Sequence, residues 1–287
     1  MCLEFSKYHG LGNDYLVYDC NRNKEVLSEK LIRGVCDRNY GLGSDGILAG
    51  PYMTDKGMLV RIYNPDGSVA EKSGNGVCIF AKYLKDAGYV QKKEFDLLTA
   101  GGTVRVRYNN ELGTNMTISM GHLDFSPEAV GCTYRPKGKD ELVDVPMDFG
   151  EFTYRCSCVS IGNPHCVLPY KMVTKGIVCD IGRKIEDSGY FVNGINTQIA
   201  QVIDRHNMKI EIYERGAGYT LASGSSACAA AGAMYKMSFV DSKVWVHMPG
   251  GKLLICVDED WNVEMTGDVS SVGTMRLSDE YMKANGL

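Results

Sequence analysis

The chain has 287 residues, enough for about two domains with a sizeable core; 44% hydrophobic and 23% charged residues exclude a disordered or low-complexity chain. Its 31 Lys and Arg against 35 Asp and Glu give a formal charge of −4 with no clustered basic run. That balance excludes an electrostatic footprint for nucleic acid or an anionic membrane and leaves a small molecule as the expected partner. No apolar stretch approaches the roughly 18–20 residues of a membrane span. The opening MCLEFSKYHG lacks the pattern of a secretory leader. Eleven scattered cysteines then read as free thiols of a cytoplasmic protein.

In chain order, LVRIYN from Leu59 alternates as a strand, and GVCIFAKYLKDAG from Gly76 places Val77, Phe80, Ala81 and Leu84 on one helical face before a Lys85/Gly88 stop. TVRVRY from Thr103 and TNMTISM from Thr114 predict further strands. The stretch SPEAVGCTYRPKGKDELVDVP from Ser126 reads as a joining segment. CVSIG, HCVLPY, IEIYE and VWVHM predict strands in the second half, and the Ala-rich SSACAAAGAMYK from Ser225 predicts a closely packed helix. Cys156 and Cys158 could be half of a metal site, but no second Cys or His pair follows at zinc-like spacing. They are read as two core thiols on one strand face, and no metal site is expected.

The two halves repeat. Arg61–Gly76 aligns without gaps on Glu211–Ser226, an offset of 150, matching at Ile62/Ile212, Tyr63/Tyr213, Ser73/Ser223 and Gly74/Gly224. The same offset carries Gly12-Asn13 onto Gly162-Asn163, and an offset of 149 carries Gly101-Gly102 onto Gly250-Gly251. Three segments in one register predict two copies of one domain, residues 1–130 and 145–287. Each copy is expected to be a curved sheet or barrel around one central helix, giving an α+β fold of two pseudo-symmetric duplicated domains.

The repeated turns Ser73-Gly74-Asn75-Gly76 and Ser223-Gly224-Ser225-Ser226 each lead into a helix. A first helical turn offers unpaired N–H groups to an anion such as a carboxylate. Serine is also a favoured helix cap. Two caps in any duplicated fold and one ligand held between two helix N-termini both remain open on this pattern.

The blocks HGLGNDY from His9, RNYGLGSDG from Arg38, RIYNPDGSVAEKSGNG, SIGNPHCV from Ser160 and YERGAGYTLASGSSACAA from Tyr213 resemble, in order, the signatures of the diaminopimelate epimerase family. The resemblance implies cofactor-independent epimerisation of an amino acid, LL- to meso-diaminopimelate, on the route to lysine and peptidoglycan precursors. One residue removes the α-proton and its symmetry mate returns one to the opposite face. In the family both are cysteines; here they are Ser73 and Ser223, the implied catalytic positions. The family's substrate-binding residues fall on Asn13, Asn64, Gly74, Asn75, Asn163, Asn196, Glu214, Arg215, Gly224 and Ser225, and His165 matches a histidine that tunes the bases. A turn role for each Asn and a surface role for Glu214 and Arg215 are the alternatives.

A thiol near pKa 8.5 can be lowered at a helix N-terminus, whereas a serine hydroxyl has no populated anion near neutrality. The readings are therefore an epimerase disarmed at its bases, a racemase using another acid–base pair and another amino acid such as histidine, or an amino-acid-binding relative without catalysis. A lyase or dehydratase on the same scaffold is a further alternative. Gly194, Cys78, Tyr219 and Ser226 stand where the family commonly has Arg, Arg, Glu and Gly. Cys78 and Cys228 read as core residues. No cofactor is expected, since Rossmann, Walker and zinc patterns are missing, and a homodimer is left open.

Overall fold

A computed structural model describes residues 3–71, 73–150 and 152–286. The chain runs β1 (Glu4–Gly10), β2 (Asn13–Asp19), α1 (Glu29–Cys36), β3 (Ile47–Thr54), β4 (Gly57–Tyr63), β5 (Val69–Ala70), α2 (Gly74–Asp86), β6 (Glu94–Thr99), β7 (Gly102–Tyr108) and β8 (Asn115–His122). It continues through β9 (Val145–Phe149), β10 (Phe152–Ser160), β11 (Pro164–Pro169), α3 (Lys175–Glu186), β12 (Asn196–Asp204), β13 (Asn207–Glu214), β14 (Gly218–Thr220), α4 (Gly224–Lys236), β15 (Lys243–Met248), β16 (Gly251–Val257) and β17 (Asn262–Asp268). It closes with β18 (Ser270–Arg276) and α5 (Asp279–Ala284). No helix among the described residues is long and apolar enough to cross a membrane.

Contacts divide the chain into a first unit, Met1–Ile118 with Gly267–Leu287, and a second, Ser119–Thr266. In the first, β1 pairs antiparallel with β2, β2 parallel with β3, β3 antiparallel with β4, β4 parallel with β6, and β6 antiparallel with β7. The second repeats this sequence of pairings strand for strand from β10 through β11, β12, β13 and β15 to β16. In each unit the sheet packs on one helix. Helix α2 touches β1, β2, β3 and β7, and α4 touches β10 to β13, β15 and β16. Gly74 to Leu84 are all buried, and so is every residue from Ser226 to Met234. Alanine and glycine let strands approach α4 closely without losing helix propensity over most of its length.

The boundaries differ from the expected 1–130 and 145–287. The ninth strand of the first unit is β18, paired antiparallel with β1, whereas its counterpart β9 precedes β10 in sequence. The last segment of the chain therefore completes the first copy, which a linear offset search does not see. The expected joining segment is part of the second core: Val130, Cys132, Leu142 and Val145 are buried there, and Leu142 N–H donates to Phe125 O at 2.9 Å. Its Pro and Gly content resembles a linker, but its apolar residues are buried side chains.

Each unit also has a second helix that the strand pattern did not predict. Leu31, Ile32, Val35 and Cys36 of α1, and Val178, Ile181 and Ile185 of α3, form the buried stripes. A Cβ at Gly182 would lie 2.5 Å from the Tyr213 ring, so glycine sets how closely α3 lies on β13.

Candidate active site

Ser73 and Ser223 hold the N-cap positions of α2 and α4 with nearly the same backbone, φ −140° and ψ 119° against φ −150° and ψ 125°. The Ser73 hydroxyl accepts from Gly76 N–H at 3.1 Å and the Ser223 hydroxyl from Ser226 N–H at 3.4 Å. Capping does not distinguish them. All five helices of the described residues start on a Ser or Thr cap, each worth about 1 kcal/mol. What sets Ser73 and Ser223 apart is their surroundings. The N–H groups of Gly74 and Asn75, and of Gly224 and Ser225, lie in first turns that supply no intrahelical acceptor, at the positive ends of nearly wholly buried helices.

In the first unit, the two-residue turn Leu11-Gly12, both at positive φ (56° and 83°), starts β2 on Asn13. The Asn13 amide receives Asn75 Nδ2 at 3.2 Å and donates to Asp45 Oδ2 at 2.8 Å. Asp45 and Asp14 share the Arg38 guanidinium, each at 2.6 Å, and Lys7 reaches Asp14 at 2.8 Å. Burial raises the Asp14 pKa, but hydrogen bonds from Arg38 and Lys7 outweigh it and hold the carboxyl below its ordinary value. This ionic frame fixes Asn13 beside the cap. Tyr15 OH lies 3.3 Å from Ser73 Oγ. Asn64 is bound in its own turn, with Nδ2 donating to Ser68 Oγ at 2.9 Å.

The second unit builds the same corner without the ion pairs. Asn163 Nδ2 reaches Ser225 Oγ at 3.5 Å, a weak contact, and His165 Nε2 lies 3.0 Å from Asn163 Oδ1. His165 is fully buried, and burial, opposed by the neighbouring Gln198 amide, pushes it down to about 3, so the imidazole is neutral. Its Nδ1 has no hydrogen-bond partner of good geometry among the described residues. Gln198 Nε2 donates to Ser226 Oγ at 3.0 Å. Burial raises the pKa of the Glu214 carboxyl, and the nearby Ser223 hydroxyl offsets only part of the rise; the Ser223 hydroxyl itself lies 3.4 Å from Ser225 Oγ. A half-buried carboxyl of raised basicity near a hydroxyl has the chemistry to accept a proton from it.

Asn196 is a brace. It donates to Pro164 O at 2.9 Å and accepts from Arg215 N–H at 3.1 Å, tying β11 to the turn after β13. The exposed Arg215 donates to Asn193 O at 3.1 Å, and its aliphatic stem covers Gly194. Tyr219 donates to Glu211 at 2.9 Å and carries Lys175 over its ring. Cys78 and Cys228 are buried, and burial pushes the Cys78 thiol up to about 12. A buried, neutral thiol fits the core role read for Cys78. Sequence reasoning missed Tyr15, which the offset of 150 places on His165, and the Arg38–Asp45 frame within the block RNYGLGSDG.

The family model for diaminopimelate epimerase matches residues 5–125 and 157–272. The chain belongs to the diaminopimelate epimerase family. It is 43% identical to "Diaminopimelate epimerase 2" of Nostoc sp. (strain PCC 7120) over 97% of this chain and 96% of that protein. It is 35% identical to the diaminopimelate epimerase of Synechococcus elongatus over 97% of this chain and all of that one. Solved structures share the fold. A Bacillus anthracis phenazine biosynthesis protein of the PhzF family superposes with a TM-score of 0.66 at 14% identity, covering 97% of this chain and 99% of its own. A hydroxyproline epimerase from Agrobacterium vitis gives 0.65 at 12% identity over 96% and 91%.

Proposed function

We propose that the chain is a cofactor-independent amino-acid epimerase of the diaminopimelate type, with Ser73 and Ser223 at the two positions that remove and return the α-proton. The reading is carried by the two matched Ser-capped helix N-termini in a chain that belongs to this family. The substrate α-carboxylate is drawn to helix N-terminal N–H groups of the kind offered by Gly74 and Asn75 and by Gly224 and Ser225, where helix dipoles favour an anion. Asn13, Asn64, Asn163, Asn196 and Arg215 frame the rest of the amino acid, and His165 holds Asn163 in place as a neutral ring.

Removal of the α-proton by Ser223 requires its own proton to pass to Glu214, so the carboxylate is the final base and the hydroxyl a relay. On the opposite face Ser73 returns a proton with the Tyr15 phenol beside it. Neither hydroxyl supplies the ready anion that a thiol supplies near neutral pH. The chain therefore binds its substrate and exchanges the α-proton slowly.

The test is α-proton exchange in D₂O followed by NMR with diaminopimelate, histidine and other amino acids, on this chain and on the Ser73→Cys, Ser223→Cys double variant. Expected is exchange of diaminopimelate that rises by about 10²–10⁴-fold in the double variant. Preferential exchange of histidine transfers the activity to a different substrate. Silence in both chains, with binding retained, overturns the enzyme reading in favour of an amino-acid-binding protein, which the serine pair favours.

A further inference from the structure

Strand register supplies the thiol that sequence spacing did not. Cys166 on β11 lies opposite Cys158 on β10. Cys158 gives its backbone N–H to Leu142 O at 2.8 Å, so the facing pair is a non-hydrogen-bonded one, the kind that brings side chains closest. Cys156, two residues before Cys158, projects from the same face. The three Sγ atoms lie within 4.8 Å of one another, and all three residues are 0% exposed. Their surroundings are the apolar core of Leu142, Val145, Leu168 and Val173.

The duplication did not supply this cluster. Tyr15 faces Tyr8 in the first unit and His165 faces Val159 in the second. Matching the hairpins there puts Phe5, Lys7 and Leu16 at the places of Cys156, Cys158 and Cys166.

The geometry points to a metal site: Cys156, Cys158 and Cys166 together hold one thiophilic d¹⁰ cation, zinc(II) or copper(I), which fastens β10 to β11 behind the hairpin of Asn163 and His165. Metal–sulfur bonds of about 2.3 Å require sulfurs about 4 Å apart, close to the spacing already present. Thiolates select these ions over hard cations. Binding replaces three S–H bonds with three metal–sulfur bonds and releases three protons, without change of oxidation state. Cys132 belongs to the same core and lies near enough to Cys156 and Cys166 to feel their charge. It is not among the sulfurs that lie within 4.8 Å of one another; zinc would complete its tetrahedron by drawing in the Cys132 thiol with loss of a fourth proton, whereas trigonal copper(I) needs no fourth ligand. Full burial means that the ion enters as the chain folds, so its binding energy is folding energy.

The full chain is unfolded and refolded anaerobically under reductant with zinc(II), copper(I) or the probe cadmium(II), then dialysed against a chelator. Expected are one retained equivalent, a sulfur-to-cadmium charge-transfer band, and an unfolding temperature above that of the metal-free chain. Cys158→Ala and Cys166→Ala lose the ion and the band; Cys179→Ser on α3 keeps both. If the alanine variants do not fold, X-ray absorption of the unmodified chain decides by counting sulfur neighbours at about 2.3 Å. Four that drop to three in Cys132→Ala identify zinc, and three that are insensitive to it identify copper(I). A natively folded chain that retains none of the three ions, or an ion with nitrogen and oxygen neighbours, overturns the site. None of these readouts depends on amino-acid exchange.

Discussion

The two units place the same cap, backbone and asparagine at their helix N-termini and surround them with opposite chemistry. In the first, Asn13 is held by the ionic network of Arg38, Asp45, Asp14 and Lys7, and the cap hydroxyl faces a phenol. In the second, Asn163 is held by a neutral buried histidine, and the cap hydroxyl faces a carboxyl of raised pKa. A duplication preserves the scaffold, which depends on strand pairing, and lets the side chains behind it diverge. A phenol on one side and a basic carboxyl on the other give the two serines unequal roles.

The largest test of that inequality uses the serine chain, where the Ser223 hydroxyl depends on a partner base. Glu214→Gln is expected to lower its α-proton exchange by about 10²–10³-fold, while Tyr15→Phe lowers it less than about tenfold, since it removes a neighbour and not a base. Equal losses break the comparison.

Acid titration separates the asparagine supports. His165 sits at about 3 when folded, against about 6.5 unfolded. Below 6.5 the unfolded chain takes up a proton that the folded chain refuses. Stability is thus fully present above that pH and falls by about 1.4 kcal/mol per unit as pH drops toward 3. Urea unfolding from pH 7 to 4 is expected to show this slope, and His165→Gln to flatten it. Asp14, held low by Arg38 and Lys7, has the acid-side loss only below about pH 4.

A smaller effect lies one layer deeper. Gln198 and Ser226 stand where the first unit has Leu48 and Gly76, and the Leu48 side chain lies 3.2 Å from where a Cβ on Gly76 would sit. Gln198→Leu alone strands the buried Ser226 hydroxyl at a cost of about 1–3 kcal/mol. Gln198→Leu with Ser226→Gly rebuilds the pair of the first unit and is expected to recover most of it, which a double-mutant cycle by denaturant unfolding measures. The smallest effect is Asp14→Asn, about 1 kcal/mol, because Arg38 keeps Asp45.

Strand alternation, the two buried helices and the duplication were legible because each rests on local periodicity or on matching residues at a fixed offset. Family membership was legible for the same reason, through ordered blocks that include both caps. The short amphipathic helices α1 and α3 were overlooked although their buried stripes lie in the sequence. Other features required pairing across the fold. That β18 completes the first unit, that Asn196 braces a distant turn, that Glu214 meets Ser223 and that Cys166 faces Cys158 follow from register, which shifts whole side-chain faces with a single residue. The sequence by itself determined which elements form and what chemistry the chain carries; the tertiary structure decided which side chains meet, because burial and cross-strand contact act between residues that no local pattern connects.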